Sequence, residues 1–371
     1  MDRMKQATLE LLALADIKAG GEREWDIRVH DDGFYRRILS QGSLGLGESY
    51  MDGWWDCEKL DEFFFRVLRT RLRDRVKKSP VLVYRTLMAR ATNRQSRKRA
   101  FEVGERHYDL GNDLFENMLD ERMVYSCGYW QDARTLDEAQ NNKLDLICRK
   151  VGLQAGMKML DIGCGWGSLA KYASEKYGAK VIGITISKEQ VQLGLRLCGG
   201  LPVEIRLQDY RDVNERFDRI VSVGMFEHVG YRNFRTYMEV AHRCLEDHGL
   251  FLLHTIGGNK SVRSVDPWID KYIFPNGMLP SVAQIGRAIE GLFVMEDWHN
   301  LSVDYDKTLT EWHRNLERNW DALKATYDER FHRMWRYYLL SCAGAFRARE
   351  NQLWQIVLSK GGVMGGYQAV R

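Results

Sequence analysis

The chain has 371 residues, enough for two or three domains at about 100–200 residues each, with 44% hydrophobic and 29% charged residues and a net charge of +4. Mean hydropathy of -0.43 with only five prolines argues against both a membrane-spanning bundle and a disordered tail protein, and no run approaches the roughly 20 apolar residues of a transmembrane helix. Seven cysteines (57, 127, 148, 164, 198, 244 and 342) form an odd set with no CxxC pair and no zinc-type spacing, which favours free thiols in a reducing cytoplasm and no metal site.

In chain order, MDRMKQATLELLALADIKAG carries acidic residues through its apolar part and reads as an amphipathic helix, not a secretory signal. Short helical patterns follow, with the run GSLGLGESYMDGWWD (42–56) and the aromatic cluster Phe63–Phe65. From Arg66 to Arg106 there are 14 Lys/Arg against 3 Asp/Glu, a local balance of +11 that leaves the rest of the chain at -7. So concentrated a basic segment suits a polyanion, either nucleic acid or an anionic membrane surface, or else forms a solvated helix face. A boundary near residue 100 is expected: residues 1–100 as a smaller, mainly helical N-terminal domain and 101–371 as the catalytic part.

From about residue 140 apolar runs alternate with amphipathic patterns. The runs are KMLDIG (158–163), AKVIGITI (179–186), PVEIRLQD (202–209), FDRIVSVG (217–224) and GLFLLHTI (249–256), separated by helical stretches such as Ser168–Lys176 and Phe234–Leu245. Short buried strands alternating with helices predict βαβ units, a mostly parallel α/β sheet, and a ligand at the strand carboxyl ends. After Asp266 two long helices are expected over Thr308–Leu323 and Glu329–Ala348, with LWQIVLSKGG returning as a strand.

The strongest local signal is LDIGCGWGS, residues 160–168. A strand ends near Asp161, Gly163, Gly165 and Gly167 alternate, and a helix starts near Ser168. Alternate glycines let the backbone turn sharply and approach a ligand without Cβ clashes. The spacing is GxGxG, not the GxGxxG of a pyrophosphate loop, and no acid follows the second strand, which ends Ile184-Thr185-Ile186-Ser187. That combination suits a nucleoside-bearing ligand without a pyrophosphate, of which S-adenosylmethionine is the common one. Asp209 and Tyr210 stand at the end of the third strand, placed to hydrogen-bond and stack with an adenine. Glu227 and His228 follow the fourth strand, and His254 lies inside the fifth; with Cys127 and Tyr305 they offer carboxylate, imidazole, thiol and phenol.

Several segments in order, among them GSLGLGESYMDGWW (42–55), HYDLGNDLF (107–115), YSCGYW (125–130), LDIGCGWGS (160–168), ITISKEQ (184–190), LQDYRD (207–212), VSVGMFEHVG (221–230), FLLHTIG (251–257), DPWIDKYIFPNG (266–277) and YLLSCAGAFRAR (338–349), resemble the bacterial cyclopropane-fatty-acyl-phospholipid synthases and their mycolic-acid relatives. The glycine loop is common to many methyltransferases; YSC-YW, FEH and HTIG in this order are specific to the family. The resemblance implies a Rossmann-like S-adenosylmethionine methyltransferase domain with helical additions. It implies a reaction in which a cis double bond of a phospholipid acyl chain attacks the methyl carbon of S-adenosylmethionine, leaving a carbocation that loses a proton and closes a three-membered ring. The base it implies is a bound bicarbonate, held by the residues matching Cys127, Glu227, His254, the backbone of Ile256, and Tyr305, with Cys342 also associated with the site. Cofactor contacts carried over in the same way fall on Tyr125, Ser126, Gly163, Gly165, Thr185, Gln190, Asp209 and Tyr210.

Under this resemblance the basic segment is a membrane-docking element, each Lys or Arg near an anionic surface contributing about 1 kcal/mol. Trp54, Trp55 and Phe63–Phe65 belong to that docking unit or else form its own core. The implied partners are unsaturated phospholipids at the inner face of the cell membrane and a second copy of the chain, with no nucleic acid. Three rival readings stay open here: a lipid methyltransferase without ring closure, a nucleic-acid methyltransferase, and a membrane-binding protein that has lost catalysis.

Overall fold

The structure, a computed structural model, describes residues 3–70 and 111–371, so the basic segment beyond Thr70 and the first four residues of HYDLGNDLF lie outside the described residues. The chain opens with α1 (Arg3–Leu14), β1 (Ile27–Val29), α2 (Gly33–Gln41), α3 (Ser43–Met51), β2 (Trp55–Cys57) and α4 (Leu60–Arg69). Then come α5 (Asn112–Met118), α6 (Leu136–Lys150), β3 (Lys158–Ile162), α7 (Ser168–Tyr177), β4 (Lys180–Thr185), α8 (Lys188–Leu197), β5 (Val203–Leu207), β6 (Phe217–Val223), α9 (Phe234–Cys244) and β7 (Leu245–Gly258). The chain closes with α10 (Pro267–Tyr272), α11 (Val282–Ile289), β8 (Val294–Asn300), α12 (Ser302–Leu323), α13 (Glu329–Arg347) and β9 (Asn351–Ser359).

Two compact units emerge, and they are not consecutive in sequence. One gathers Met1–Thr92 with Ser264–Pro275 and Tyr305–Asn351; the other gathers Asn93–Arg263 with Asn276–Asp304 and Gln352–Arg371. The helical pieces after Asp266 thus divide between the units.

The larger unit is built on a seven-stranded sheet of order β5-β4-β3-β6-β7-β9-β8. Strands β5, β4, β3, β6 and β7 run parallel to one another, and β8 pairs antiparallel with β9. Strand order reverses at β3, the switch point where ligands of open α/β sheets bind. The period of two along each strand sorts side chains onto two covered faces. Leu160, Ile162, Ile182, Ile184, Ile220, Phe251, Leu253, Ile356 and Leu358 pack with α9 and α11. The alternate residues Met159, Val181, Val221, Leu252 and Val357 pack with α6 and α7. All five predicted strand runs form strands here, as does the terminal LWQIVLS, so the expected Rossmann-like α/β architecture is present.

Strand β8 did not read as a strand because its sequence, VMEDWHN, interrupts apolar alternation with charge. At an edge those charges are tolerable. Glu296 accepts from the Ser359 hydroxyl at 2.5 Å and from the Val363 amide at 2.8 Å, and Asp297 takes both terminal nitrogens of Arg371 at 2.6 and 2.7 Å.

The smaller unit is mainly helical, with one two-stranded antiparallel ribbon, β1-β2. Its core is aromatic: Trp55 lies 5.1 Å from Tyr50 and 5.2 Å from Phe63, and Phe64 packs edge-on against Tyr337 at 5.1 Å. Trp55, Phe63 and Phe64 are therefore core residues, not lipid anchors; Trp54, partly exposed, lies beneath the Arg37 guanidinium. Segment 264–275 is tied in by Glu48, whose carboxylate accepts from Lys271 at 2.5 Å, Arg37 at 2.8 Å and Tyr272 at 2.9 Å. Burial pushes this carboxyl up, but the three donors outweigh it and hold it down at about 2.

Two glycine substitutions test the packing. At Gly257 in β7 a methyl group would stand 2.0 Å from the buried Trp354 ring, so Gly257→Ala is expected to cost about 1–3 kcal/mol by overpacking and to lower the thermal midpoint. Gly286 in α11 has nothing within 4 Å of that position, so Gly286→Ala is expected to raise stability by about 0.5–1 kcal/mol. Differential scanning calorimetry should show the two midpoints moving in opposite directions.

Candidate active site

The glycine loop leaves β3 at the switch point. Gly163, Gly165 and Gly167 have φ of +83°, +57° and +85°, values that L side chains rarely adopt. The Gly163 and Cys164 amides both donate to the Ile184 carbonyl, at 2.9 and 3.0 Å, which fixes the turn against β4. A Cβ at Gly163 would lie 2.7 Å from Met225, whereas at Gly165 nothing lies within 4 Å. The loop is thus closed on its protein side and open where a ligand would approach. Trp166 from the loop, Phe115 from α5 and Tyr125 form a run of rings with centroids 5.1 Å apart.

Around this loop the sequence-predicted cofactor residues fall into local pairs. The Thr185 hydroxyl donates to Gln190 Oε1 at 2.6 Å at the start of α8, whose N-cap is Ser187. Asp209 is buried and accepts from the Arg211 amide at 2.9 Å and its guanidinium at 2.8 Å. Tyr210 packs into the core with its ring 5.0 Å from Tyr237 and the Arg211 guanidinium over it. Asp161 is buried within β3, and burial raises its carboxyl to about 7 against the opposing charge of Lys143.

A second group converges at the carboxyl ends of β6 and β7. The register pairs Val223 with His254, and the Gly224 amide donates to the His254 carbonyl at 2.9 Å. Three residues further on, Glu227 turns back: its Oε1 accepts from the Ile256 amide at 2.6 Å. Its own carbonyl is anchored by the Met278 amide at 2.8 Å. Glu227 is only 6% exposed, and its Oε2 makes no hydrogen bond among the described residues. The nearby Thr255 hydroxyl donates to the Ile256 carbonyl at 3.0 Å. Burial raises the Glu227 carboxyl to about 7, with the Ile256 amide opposing. His254, 1% exposed, likewise has an Nε2 without a hydrogen bond among the described residues. Burial, then the charges of Lys143 and Lys150, hold its pKa far below the usual imidazole range, so it is neutral.

Those lysines were not singled out from sequence. Helix α6 begins with a capping box between Thr135 and Glu138 and buries a stripe that includes Leu136, Gln140, Lys143, Ile147 and Lys150. Lys143 Nζ donates to the Ser126 hydroxyl at 2.8 Å, and Gln140 Nε2 donates to the Ser126 carbonyl at 2.8 Å, so α6 holds the Tyr125–Cys127 segment. Burial draws the Lys143 ammonium down to about 8 against the pull of Asp120, Cys127 and Asp161. Lys150 Nζ lies 2.9 Å from His299 Nδ1 and 3.8 Å from Asp297, and burial draws it to about 7. The signal in the sequence was two lysines seven apart on the apolar stripe of one helix.

Of the remaining candidates, Cys127 is fully buried and directs its thiol to the Gly128 carbonyl at 3.1 Å. Gly128 itself would bring a methyl group to 3.0 Å from the Ala139 Cβ. His228 follows Glu227 in the same short turn. Tyr305 and Cys342 belong to the smaller unit. Tyr305 stacks on Phe346 at 4.7 Å. Cys342, on α13, is partly buried, and burial raises its thiol to about 12.

Comparison with known proteins places this arrangement. Residues 95–356 match the family model of mycolic acid cyclopropane synthetase. The chain is 55% identical over 362 residues to the cyclopropane-fatty-acyl-phospholipid synthase of Escherichia coli K12, covering 98% of this chain and 94% of that one. Among solved structures, the cyclopropane synthase MmaA2 of Mycobacterium tuberculosis superposes with a TM-score of 0.66 at 33% identity, over 70% of this chain and 98% of that one. The mycolic acid cyclopropane synthase CmaA1, complexed with SAH and CTAB, gives a TM-score of 0.65 at 34% identity, over 70% of this chain and 98% of that one. With the strand order, the glycine loop and the Glu227–Ile256 turn in place, the chain belongs to the cyclopropane synthase family.

Proposed function

We propose that this chain converts a cis double bond in a phospholipid acyl chain to a cyclopropane, with S-adenosylmethionine as the one-carbon donor and a bound bicarbonate as the base. The donor supplies an electrophilic methyl group on a sulfonium. The open side of the glycine loop, with Tyr125, Ser126, Thr185, Gln190, Asp209 and Tyr210 around it, is the part of the chain suited to hold it. Positioning is the main task there, because an alkene is a poor nucleophile and alignment supplies several kcal/mol of a barrier.

What remains for the chain is to keep nucleophiles from a cationic acyl chain and to remove one proton. The observation that carries this reading is a pair of polar atoms, Glu227 Oε2 and His254 Nε2, buried at adjacent strand ends without a hydrogen bond among the described residues. Each costs about 1–3 kcal/mol if left unmet, so the site is built for a polar guest. A bicarbonate fits the donor set: its O–H donates to Glu227, while His254 donates to it. The buried charges of Lys143 and Lys150 favour an anion there. The Ile256 amide, engaged by Glu227 in this structure, is shared when the anion enters. Tyr305 and Cys342 are assigned to the reaction on resemblance, Tyr305 as a further donor.

Membrane attachment is proposed for the basic stretch Arg66–Arg106, of which Arg66 and Arg69 close α4. Among the described residues no helix is long and apolar enough to cross a membrane. Peripheral docking at the cytoplasmic face fits both, and a homodimer is proposed on the family resemblance.

Four experiments test the reading. Incubated with unsaturated phospholipid vesicles and S-adenosylmethionine, the protein is expected to add about 14 mass units per acyl chain with loss of the alkene; a surviving alkene would mean methylation without ring closure, and no mass change would defeat the proposal. Glu227→Gln is expected to keep donor binding by calorimetry yet lose roughly 100-fold or more in turnover, the scale of a lost acid–base group; in carbonate-free buffer the unaltered protein should slow and recover when bicarbonate is returned. Neutralising several basic residues between Arg66 and Arg106 should weaken sedimentation with anionic vesicles, most at low ionic strength; a loss indifferent to salt would point to misfolding.

A further inference from the structure

Gln355 lies on β9, the neighbour of β7 in the sheet, and is fully buried. Its position alternates with that of Ile356, so it shares the α6-covered face with Val357. Its amide nitrogen stands 3.2 Å from His254 Nδ1. Its carbonyl oxygen has no hydrogen bond among the described residues, and neither has His254 Nε2.

We infer that Gln355 fixes the tautomer of His254, keeping Nδ1 bare and placing the ring's proton on Nε2, so that the imidazole is a one-way donor toward the site. A neutral imidazole carries a single N–H, and whichever nitrogen accepts a hydrogen bond leaves the proton to the other. His254 is neutral here because burial and the charges of two buried lysines disfavour its protonation. Two arrangements satisfy the 3.2 Å contact. In one the amide gives one hydrogen to Nδ1, its second hydrogen and its carbonyl oxygen go unmet, and the ring's N–H faces the site. In the other the carbonyl accepts from an Nδ1–H, both hydrogens of the buried amide go unmet, and a bare Nε2 faces the site. Away from the site the first leaves one N–H unmet and the second two, and orphaned N–H groups are the rarer and costlier defect, which favours the first.

The first arrangement also suits what the ring faces. A bare Nε2 would turn a lone pair toward a site already bordered by the unmet oxygen of Glu227, whereas an Nε2–H supplies the donor that an anion lacks there. Gln355 is therefore a positioning residue, acting through His254 without touching the substrate. The consequence for anion binding rests on the bicarbonate reading; the tautomer does not.

The test uses full-length protein with 15N-labelled histidine, the His254 ring signals being assigned by their loss in His254→Asn. The unaltered protein is expected to show a protonated Nε2 and a bare Nδ1. Gln355→Leu, and Gln355→Met as an unbranched second variant, should lose that single tautomer while still binding S-adenosylmethionine. Both should raise the bicarbonate concentration for half-maximal rate by up to about tenfold, the scale of one hydrogen bond, with the rate at saturating bicarbonate changed by less than about threefold. A protonated Nδ1 in the unaltered protein, or an unchanged ring spectrum in both variants, overturns the inference. A rate indifferent to bicarbonate in the unaltered protein overturns the anion reading instead, and the ring spectrum still decides the role of Gln355.

Discussion

A buried carboxylate with one oxygen unmet among the described residues is the constraint around which the larger unit is arranged. Glu227 Oε1 accepts from the Ile256 amide at 2.6 Å, whereas a buried carboxylate that is fully paired accepts two or three N–H bonds. That shortfall is tolerable only if the carboxyl spends much of its time protonated or if a guest completes its bonding, and its pKa of about 7 allows both. The surrounding framework serves to keep Glu227 where it is. Parallel pairing of β6 and β7 sets its height, the Met278 amide holds its carbonyl, and the close approach of Gly257 to Trp354 leaves β7 little freedom to shift.

The face of the sheet beneath α6 continues the same logic. Apolar side chains fill most of it, yet its upper rows hold Asp161, His254 and Gln355, met from α6 by Lys143 and, further along, Lys150. Burying an ammonium group is expensive, and both lysines are drawn well below their ordinary range. Part of that cost is offset by specific partners: Ser126 for Lys143, His299 and Asp297 for Lys150. Their combined field does something no surface lysine could. Added to burial, the larger cause, it keeps His254 neutral, and a neutral ring needs a neighbour to decide which nitrogen carries the proton.

How much of this was visible in the sequence follows from which signals are local. Strands β3, β4, β6 and β7 announced themselves because each carries an apolar run buried on two faces, and β5, a partly exposed edge strand, by its place in the strand–helix alternation. The glycine loop was legible for the same reason, since alternate glycines are needed whatever surrounds them. Glu227 and His254 were found by their places at strand ends. Strand β8 was hidden because Glu296, Asp297 and His299 break its apolar alternation, and their partners lie far along the chain at Ser359, Arg371 and Lys150. Lys143 and Gln355 were hidden differently: each is an ordinary polar residue whose meaning depends on its burial. The grouping of 264–275 with the N-terminal helices depended on Trp268 and Lys271 meeting Met51 and Glu48, contacts more than two hundred residues apart that no spacing rule anticipates.

The chemistry also constrains what the chain must not present. An acyl carbocation is trapped by any available nucleophile, and this chain carries seven cysteines. Burial raises the thiols of Cys57 and Cys342 to about 12 and that of Cys164 well above its ordinary value. At neutral pH these are thiols, and the thiolate is the reactive form. Cys127, in the segment that α6 holds, turns its sulfur to the Gly128 carbonyl as a donor. The same desolvation that suppresses thiolates lowers the basicity of His254 and keeps Glu227 protonated part of the time at neutral pH. A site dry enough to protect a cation thus holds few side chains that are both basic and ionised. On the function proposed above, a small anion brought in from solution, and held by donors that cannot themselves attack carbon, would resolve the conflict.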